Sequence, residues 1–248
     1  MTNGRTVPSF LLRPAPGKAA AWGLAALGLA LLTAPGVAMA HALGGADAAF
    51  VSATRGPAPG PFLYLGAKHM VTGYDHLLFL LGVIFFLTRL RDVALCVTLF
   101  SLGHSLTLLA GVLVGFGLDT YLVDAAIGLS IVYKAFDNIG GFEHTIDRRP
   151  DARIAVFGFG LVHGLGLSTK LEQLGLNPQG LVVNLLSFNI GVEIGQVIAL
   201  AILLAIVTLL RRSRRFAAAS FAANLALMAA GVVLTGMQLA AFAWGSSG

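Results

Sequence analysis

The sequence predicts an all-α integral membrane protein, a six-transmembrane-helix bundle after a cleavable signal peptide. Three observations carry this. Of 248 residues, 57% are hydrophobic and only 11% charged, far from the balance of a water-soluble domain. Apolar segments long enough to cross a bilayer recur along the chain, separated by short connections. The N-terminus reads basic, then apolar, then small.

Taken in order, Arg5, Arg13 and Lys18 precede an apolar stretch from Ala19 to about Leu32, and "APGVAMAHA" follows, with small residues at Ala38 and Ala40. Residues 1–40 therefore read as a signal peptide, and cleavage after Ala40 leaves 248 − 40 = 208 residues. An uncleaved first transmembrane helix is the other reading of the same pattern. Residues 41–61 form a short periplasmic N-terminal segment, rich in Gly, Pro and Ala and expected to be mobile. Residues 62–243 hold the six spans, at about 70–88, 93–115, 121–140, 153–171, 180–210 and 216–243. Each approaches the roughly 20 residues that about 30 Å of hydrocarbon requires. The fifth is longer, so it should tilt or project into the cytoplasm. Residues 244–248 are a periplasmic tail.

Basic residues set the orientation. Arg89 and Arg91 follow the first span, Arg148, Arg149 and Arg153 lie between the third and fourth, and Arg211, Arg212, Arg214 and Arg215 between the fifth and sixth. The connections on the other side, "GFGLDTY" and "LEQLGLNPQG", offer only Lys170 nearby. The positive-inside rule makes the arginine loops cytoplasmic and both ends of the mature chain periplasmic, in a bacterial inner membrane. The pI of about 9.8 then reflects loops facing anionic lipid, with no call for nucleic acid. The lone cysteine, Cys96, excludes an internal disulfide and a cysteine-cluster metal site.

Ionisable groups inside spans are costly and mark partners, cavities or the bundle interior. His69, Gly73 and His76 fall at i, i+4 and i+7, which puts both imidazoles on one face of a continuous helix, with Asp75 adjacent. Ser101, His104 and Thr107 make a polar stripe in the second span. Ser130, Lys134 and Asp137 line a face of the third, the last two spaced as an ion pair. His163 centres the fourth span, and Asn189, Glu193 and Gln196 stripe the fifth. Two GxxxG patterns, Gly160 with Gly164 and Gly191 with Gly195, serve close helix packing.

His69, Asp75, His76, His104, His163 and Glu193 together suggest coordination of a divalent transition metal, with the histidines and Asp75 as the metal residues. Imidazole suits Ni, Co, Cu and Zn, the carboxylate adds charge, and no thiolate is at hand. Asp75 and His76 are expected near the outer end, with His104 and His163 near the middle, as weak sites in series along an inward path. Asp75 could instead orient a ring nitrogen. Any one of these histidines alone could be interhelical glue, and Lys134 with Asp137 reads better as a structural pair than as a relay.

The stretch "HMVTGYDH" (His69 to His76) resembles the H-x-x-x-G-x-D-H signature of the HupE/UreJ proteins, in the branch carrying "DHLLFLL". "FSLGHSLTLL", "FGFGLVHGLGLS" and "FNIGVEIGQ" match in order, and the resemblance covers about residues 62–242. It implies six spans after a cleaved signal and a nickel or cobalt permease linked to hydrogenase or urease maturation. His69, Asp75 and His76 would be metal-motif residues, and His163 would belong to the second motif. Met70 stands where the family commonly has proline, and "HGLGL" lacks the acidic residue often found after the His-Gly.

The expected function is secondary import of Ni2+ or Co2+ from the periplasm, with no tightly bound cofactor. Glu193, Asn189, Lys134 and Asp137 would compensate charge or line the path. No Walker A loop is present, and an inside-negative potential supplies about 2 × 2.3 kcal/mol per 100 mV to a dication moving inward. The alternatives are an intramembrane zinc-dependent hydrolase holding Zn2+, or a membrane accessory subunit without transport. A homo-oligomer is compatible with all three.

Overall fold

The structure is a computed structural model that describes residues 45–148, 150–212 and 216–245. The expectation of a signal peptide at 1–40 and the new N-terminus at His41 lie outside the described residues. Among the described residues every regular element is helical. In chain order these are α1 (Gly45–Ala53), α2 (Pro59–Thr72), α3 (Tyr74–Ile84), α4 (Leu90–Val114), α5 (Thr120–Asn138), α6 (Gly141–Ile146), α7 (Ala152–Gln173), α8 (Leu181–Arg211) and α9 (Phe216–Gly245). Four helices are long and apolar enough to cross a membrane: α4, α7, α8 and, over Ala219–Gly245, α9. The protein is thus a membrane protein of the all-α class. Its outer surface agrees: Leu102, Leu106, Ile190, Ile194, Val197, Ile202 and Val232 are all exposed, as a lipid solvent allows.

The helices pack chiefly as α2 on α8, α4 on α7 and α5 on α9. Without a hydrophobic drive between helices in lipid, close backbone approach must supply the packing, and glycine permits it at each crossing. A Cβ on Gly66, Gly191 or Gly195 would strike backbone of the facing helix in the α2/α8 pair. Gly103, Gly160 and Gly164 do the same for α4/α7, and Gly128 and Gly231 for α5/α9. The packing role expected of Gly160, Gly164, Gly191 and Gly195 therefore has its geometry. Thr107 adds polar glue to the α4/α7 crossing, donating to Leu161 O at 2.7 Å.

Local signals set the helix ends. Gly115 stops α4 in the left-handed region (φ 70°), which an L side chain rarely adopts. Asp119 caps α5 by accepting from the amides of Tyr121 and Leu122, and Asp151 caps α7 through Arg153 N. The second to sixth spans expected from sequence lie within three residues of α4, α5, α7, α8 and α9.

The first does not. In place of one helix over 70–88, the chain forms α2 from Pro59 and α3 from Tyr74, broken at Gly73, whose backbone is extended (φ −72°, ψ 104°). Any residue could adopt those angles. The requirement at Gly73 is space, since a Cβ would meet His76 Nδ1, His69 O and Asp75 Oδ1. With 11 residues, α3 reaches only about 16 Å, half a bilayer. The segment expected to be mobile also differs: α1 is docked, with Val51 buried in the core and Asp47 2.7 Å from Lys68.

Candidate metal centre

The break at Gly73 brings four imidazoles together. His69 lies in the last turn of α2, Asp75 and His76 in the first turn of α3, His104 midway along α4, and His163 midway along α7. Around His76, ring centroids lie 5.0 Å away for His69, 5.8 Å for His104 and 5.0 Å for His163. His76, His104 and His163 are 1–2% exposed and Asp75 5%. Ligand atoms of His69, His76 and His104 fall within 4.8 Å of one another, as do those of Asp75, His76 and His163. His76 belongs to both sets.

The rings are oriented from behind. Asp75 Oδ1 lies 3.1 Å from His76 Nδ1. If Nδ1 donates to that carboxylate, the lone pair is on Nε2, which is buried without a hydrogen-bond partner among the described residues. Ser130 donates its hydroxyl hydrogen to Ile127 O at 2.6 Å and lies 3.2 Å from His163 Nε2. If that proton stays on Ile127 O, Oγ accepts from Nε2–H, which leaves the lone pair of His163 on Nδ1. Both ring nitrogens of His104 are also buried without such a partner. An unsatisfied buried polar atom costs roughly 1–3 kcal/mol, and a metal ion would recover that cost at the one nitrogen of each neutral ring that carries the lone pair.

Below the imidazoles the site is closed by apolar rings. Phe100 lies 5.1 Å from His163 and 6.2 Å from His76, Phe79 lies 5.4 Å from His163, and the two phenylalanines stack at 5.2 Å. On the other side a small cavity opens, lined by His69, Asp75, His76, Ile127, His163, Gly166, Leu167 and Lys170. The donor set is hard-to-borderline nitrogen and oxygen without sulfur, a set that suits divalent first-row metals.

Residues 46–246 match the family model described as HupE / UreJ protein, which covers most of the chain. The chain belongs to the HupE/UreJ family. Searches of curated proteins and of solved structures returned no significant match.

Within this HupE/UreJ chain, several sequence expectations need correcting. Asp75 and His76 were expected at the outer edge of the apolar zone, with His104 and His163 deeper. They form one cluster instead, because α2 ends at Thr72 and delivers the start of α3 to the bundle interior, beside the middles of α4 and α7. Glu193 was expected to line the path. It is exposed on the outer face of α8, because Gly191 and Gly195 turn the opposite face toward α2. Asn189 is buried beside Phe188, whose ring lies 6.0 Å from His69. Lys134 and Asp137 pair at 2.6 Å one turn beyond Ser130, against Gly82 of α3. Gln196 donates to Val97 O at 3.3 Å, a helix-packing contact.

Sequence reasoning missed Gly73 as a helix break, Ser130 as a partner of His163, and the Phe79/Phe100 floor. It also gave no role to Asp124, whose carboxylate receives Lys170 Nζ at 2.9 Å through both oxygens. The one available signal was spacing, since Lys170 stands seven residues from His163 on α7 and so shares its face.

Proposed function

We propose that this HupE/UreJ protein is a secondary importer of a divalent transition metal, nickel first and cobalt second, which binds at the cluster centred on His76. In this reading the chain crosses the membrane six times, the α2–α3 pair acting as one discontinuous span with α4, α5, α7, α8 and α9 as the others. The arginine loops face the cytoplasm and the chain ends the periplasm.

The observation that carries the proposal is the sharing of His76 between two donor sets at a broken membrane helix. Non-helical backbone at membrane depth is tolerated where it lines a cavity, and discontinuous helices are a common way to build ion sites in transporters. A cation held by Asp75, His76 and His163 could pass to His69, His76 and His104 by exchanging ligands around His76, never losing its full coordination at once. A permeant ion needs this kind of graded, multi-site binding. The stacked Phe79 and Phe100 form an inner barrier that must move for the ion to proceed. The membrane potential supplies the inward drive for a dication.

The test is cellular nickel and cobalt accumulation at limiting external metal, with the intact protein, His76→Ala and an empty-membrane control at matched expression. Uptake above control that the substitution abolishes is the expected result. Equal accumulation in all three, with zinc surviving purification near one per chain, would move the reading to an intramembrane zinc hydrolase.

A further inference from the structure

The cavity above the imidazoles ends at Lys170, and Lys170 is held there by Asp124. Its ammonium lies 2.9 Å from both carboxylate oxygens of Asp124. The carboxylate is 6% exposed and the lysine side chain 23%. Lys170 follows His163 by two turns on the same face of α7, about 10 Å along the axis. Asp124 precedes Ile127 and Ser130 on α5 and lies alongside Gly166, close enough that a Cβ there would sit 3.7 Å from Asp124 Oδ1. Two pairs therefore bridge α5 and α7 on one face: Ser130 with His163 at the cluster, and Asp124 with Lys170 at the mouth.

A positive charge across the entrance of a cation site is a barrier unless it can be exchanged. From this geometry we infer that Asp124 is the entrance ligand for the incoming divalent cation, and that Lys170 is a tethered cation holding its place. The arriving dication displaces the ammonium from Asp124, and Lys170 swings toward the exposed end of α7. After the ion moves down to Asp75, His76 and His163, the ammonium returns and closes the mouth. Monovalent cations compete poorly against a covalently tethered ammonium, whereas a dication gains twice the attraction to the same carboxylate. Asp124 and Lys170 are thus specificity-determining for entry. The inference rests on the metal reading of the imidazole cluster.

The experiment is rapid-mixing measurement of Ni2+ association and chelator-driven release, on the full chain in lipid nanodiscs, for the intact protein, Lys170→Met, Lys170→Arg and Asp124→Asn. Lys170→Met is expected to raise the association rate about tenfold, the low end of what focused charge does to encounter rates. Asp124→Asn leaves the lysine without its partner and removes the entrance ligand, so association falls about tenfold. Lys170→Arg keeps the rate within about twofold, because a tethered cation still faces Asp124. A merely structural ion pair predicts loss in the same direction for both Lys170→Met and Asp124→Asn, and that outcome overturns the gate, as do unchanged rates. If the intact protein binds neither Ni2+ nor Zn2+, the metal reading of the cluster fails, and the gate with it.

Discussion

Asp75 Oδ1 and His76 Nδ1 stand 3.1 Å apart, a contact between sequence neighbours made in the first turn of α3 beside a helix break. Neighbours in a helix interior diverge by about 100°, so such a pair normally points to different faces. At the start of α3 the extended Gly73 leaves room for both side chains to turn toward the cavity. The carboxylate then fixes the ring and makes its far nitrogen the better donor.

Asp75→Ala removes a member of one donor set together with the partner that orients His76, so it should weaken Ni2+ binding by at least about 10- to 100-fold, the usual cost of losing the orienting partner alone. His76→Ala removes the ligand common to both donor sets and should abolish measurable binding. Isothermal titration with Ni2+ in nanodiscs distinguishes them. Equal, small losses for the two would mean that His76 is not the hub.

Gly73→Ala tests the break itself. The added Cβ meets His76 Nδ1, Asp75 Oδ1 and the carbonyl of His69, and the last cannot move without shifting α2. The expected result is loss of Ni2+ affinity about as large as for Asp75→Ala, with the helical circular dichroism of the purified protein unchanged. Retained affinity would mean the Asp75–His76 contact is dispensable.

How much of this was legible in the sequence follows from what a period can encode. Five of the helices were readable because long apolar runs with charged or turn-rich ends stand out in the sequence, and four of those helices are long and apolar enough to cross a membrane. All five cluster residues were singled out, because an ionisable group in an apolar run is conspicuous by itself. The meeting of His104 and His163 with His76 was not readable, since a helical period assigns faces but not which face meets which. The break at Gly73 was hidden because "HMVTGYDH" continues the same 3.6-residue spacing across it. What Gly73 supplies there is room for side chains that fold back, which spacing does not encode. Glu193 misled for the complementary reason: a stripe of Asn189, Glu193 and Gln196 suggests one face, yet Gln196 is buried and Glu193 is not.

That exposure gives a negative control. Glu193→Gln should leave Ni2+ affinity within about twofold, as substitutions away from packed features usually do. Titration of the purified variant checks it. A tenfold loss would return Glu193 to the metal path, through a rearrangement of α8 that this structure does not contain.

Ser130→Ala separates ring orientation from packing at His163. Removing the hydroxyl takes away the partner of Nε2, and the imidazole can flip or change tautomer. Ni2+ affinity should fall by about tenfold, the lower bound for losing an orienting partner. Ser130→Thr, which keeps the oxygen, should recover part of that. If alanine and threonine behave alike, Ser130 does not set the tautomer.

Arg211 holds the other end of the half-helix. Its Nη2 donates to the carbonyls of Ile84, Phe85 and Leu87 at 2.8–2.9 Å, where α3 ends in a turn that Leu87 N closes on Ile84 O. A guanidinium there also complements the negative end of the helix dipole. One of the arginine runs thus anchors the element that carries His76. Arg211→Ala should cost about 1.5–3 kcal/mol, the range for a hydrogen bond to a charged group. It should appear as a lower temperature of inactivation in detergent, followed by loss of the monodisperse chromatographic peak. Arg211→Lys keeps the charge but only one donor direction at a time, so its recovery should be partial. Ni2+ affinity measured well below that temperature should stay within about threefold, because the caps secure the far end of α3 and touch none of the imidazoles. A large affinity loss at low temperature would instead show that the position of α3 along its axis, and with it the height of His76, is set from the arginine side.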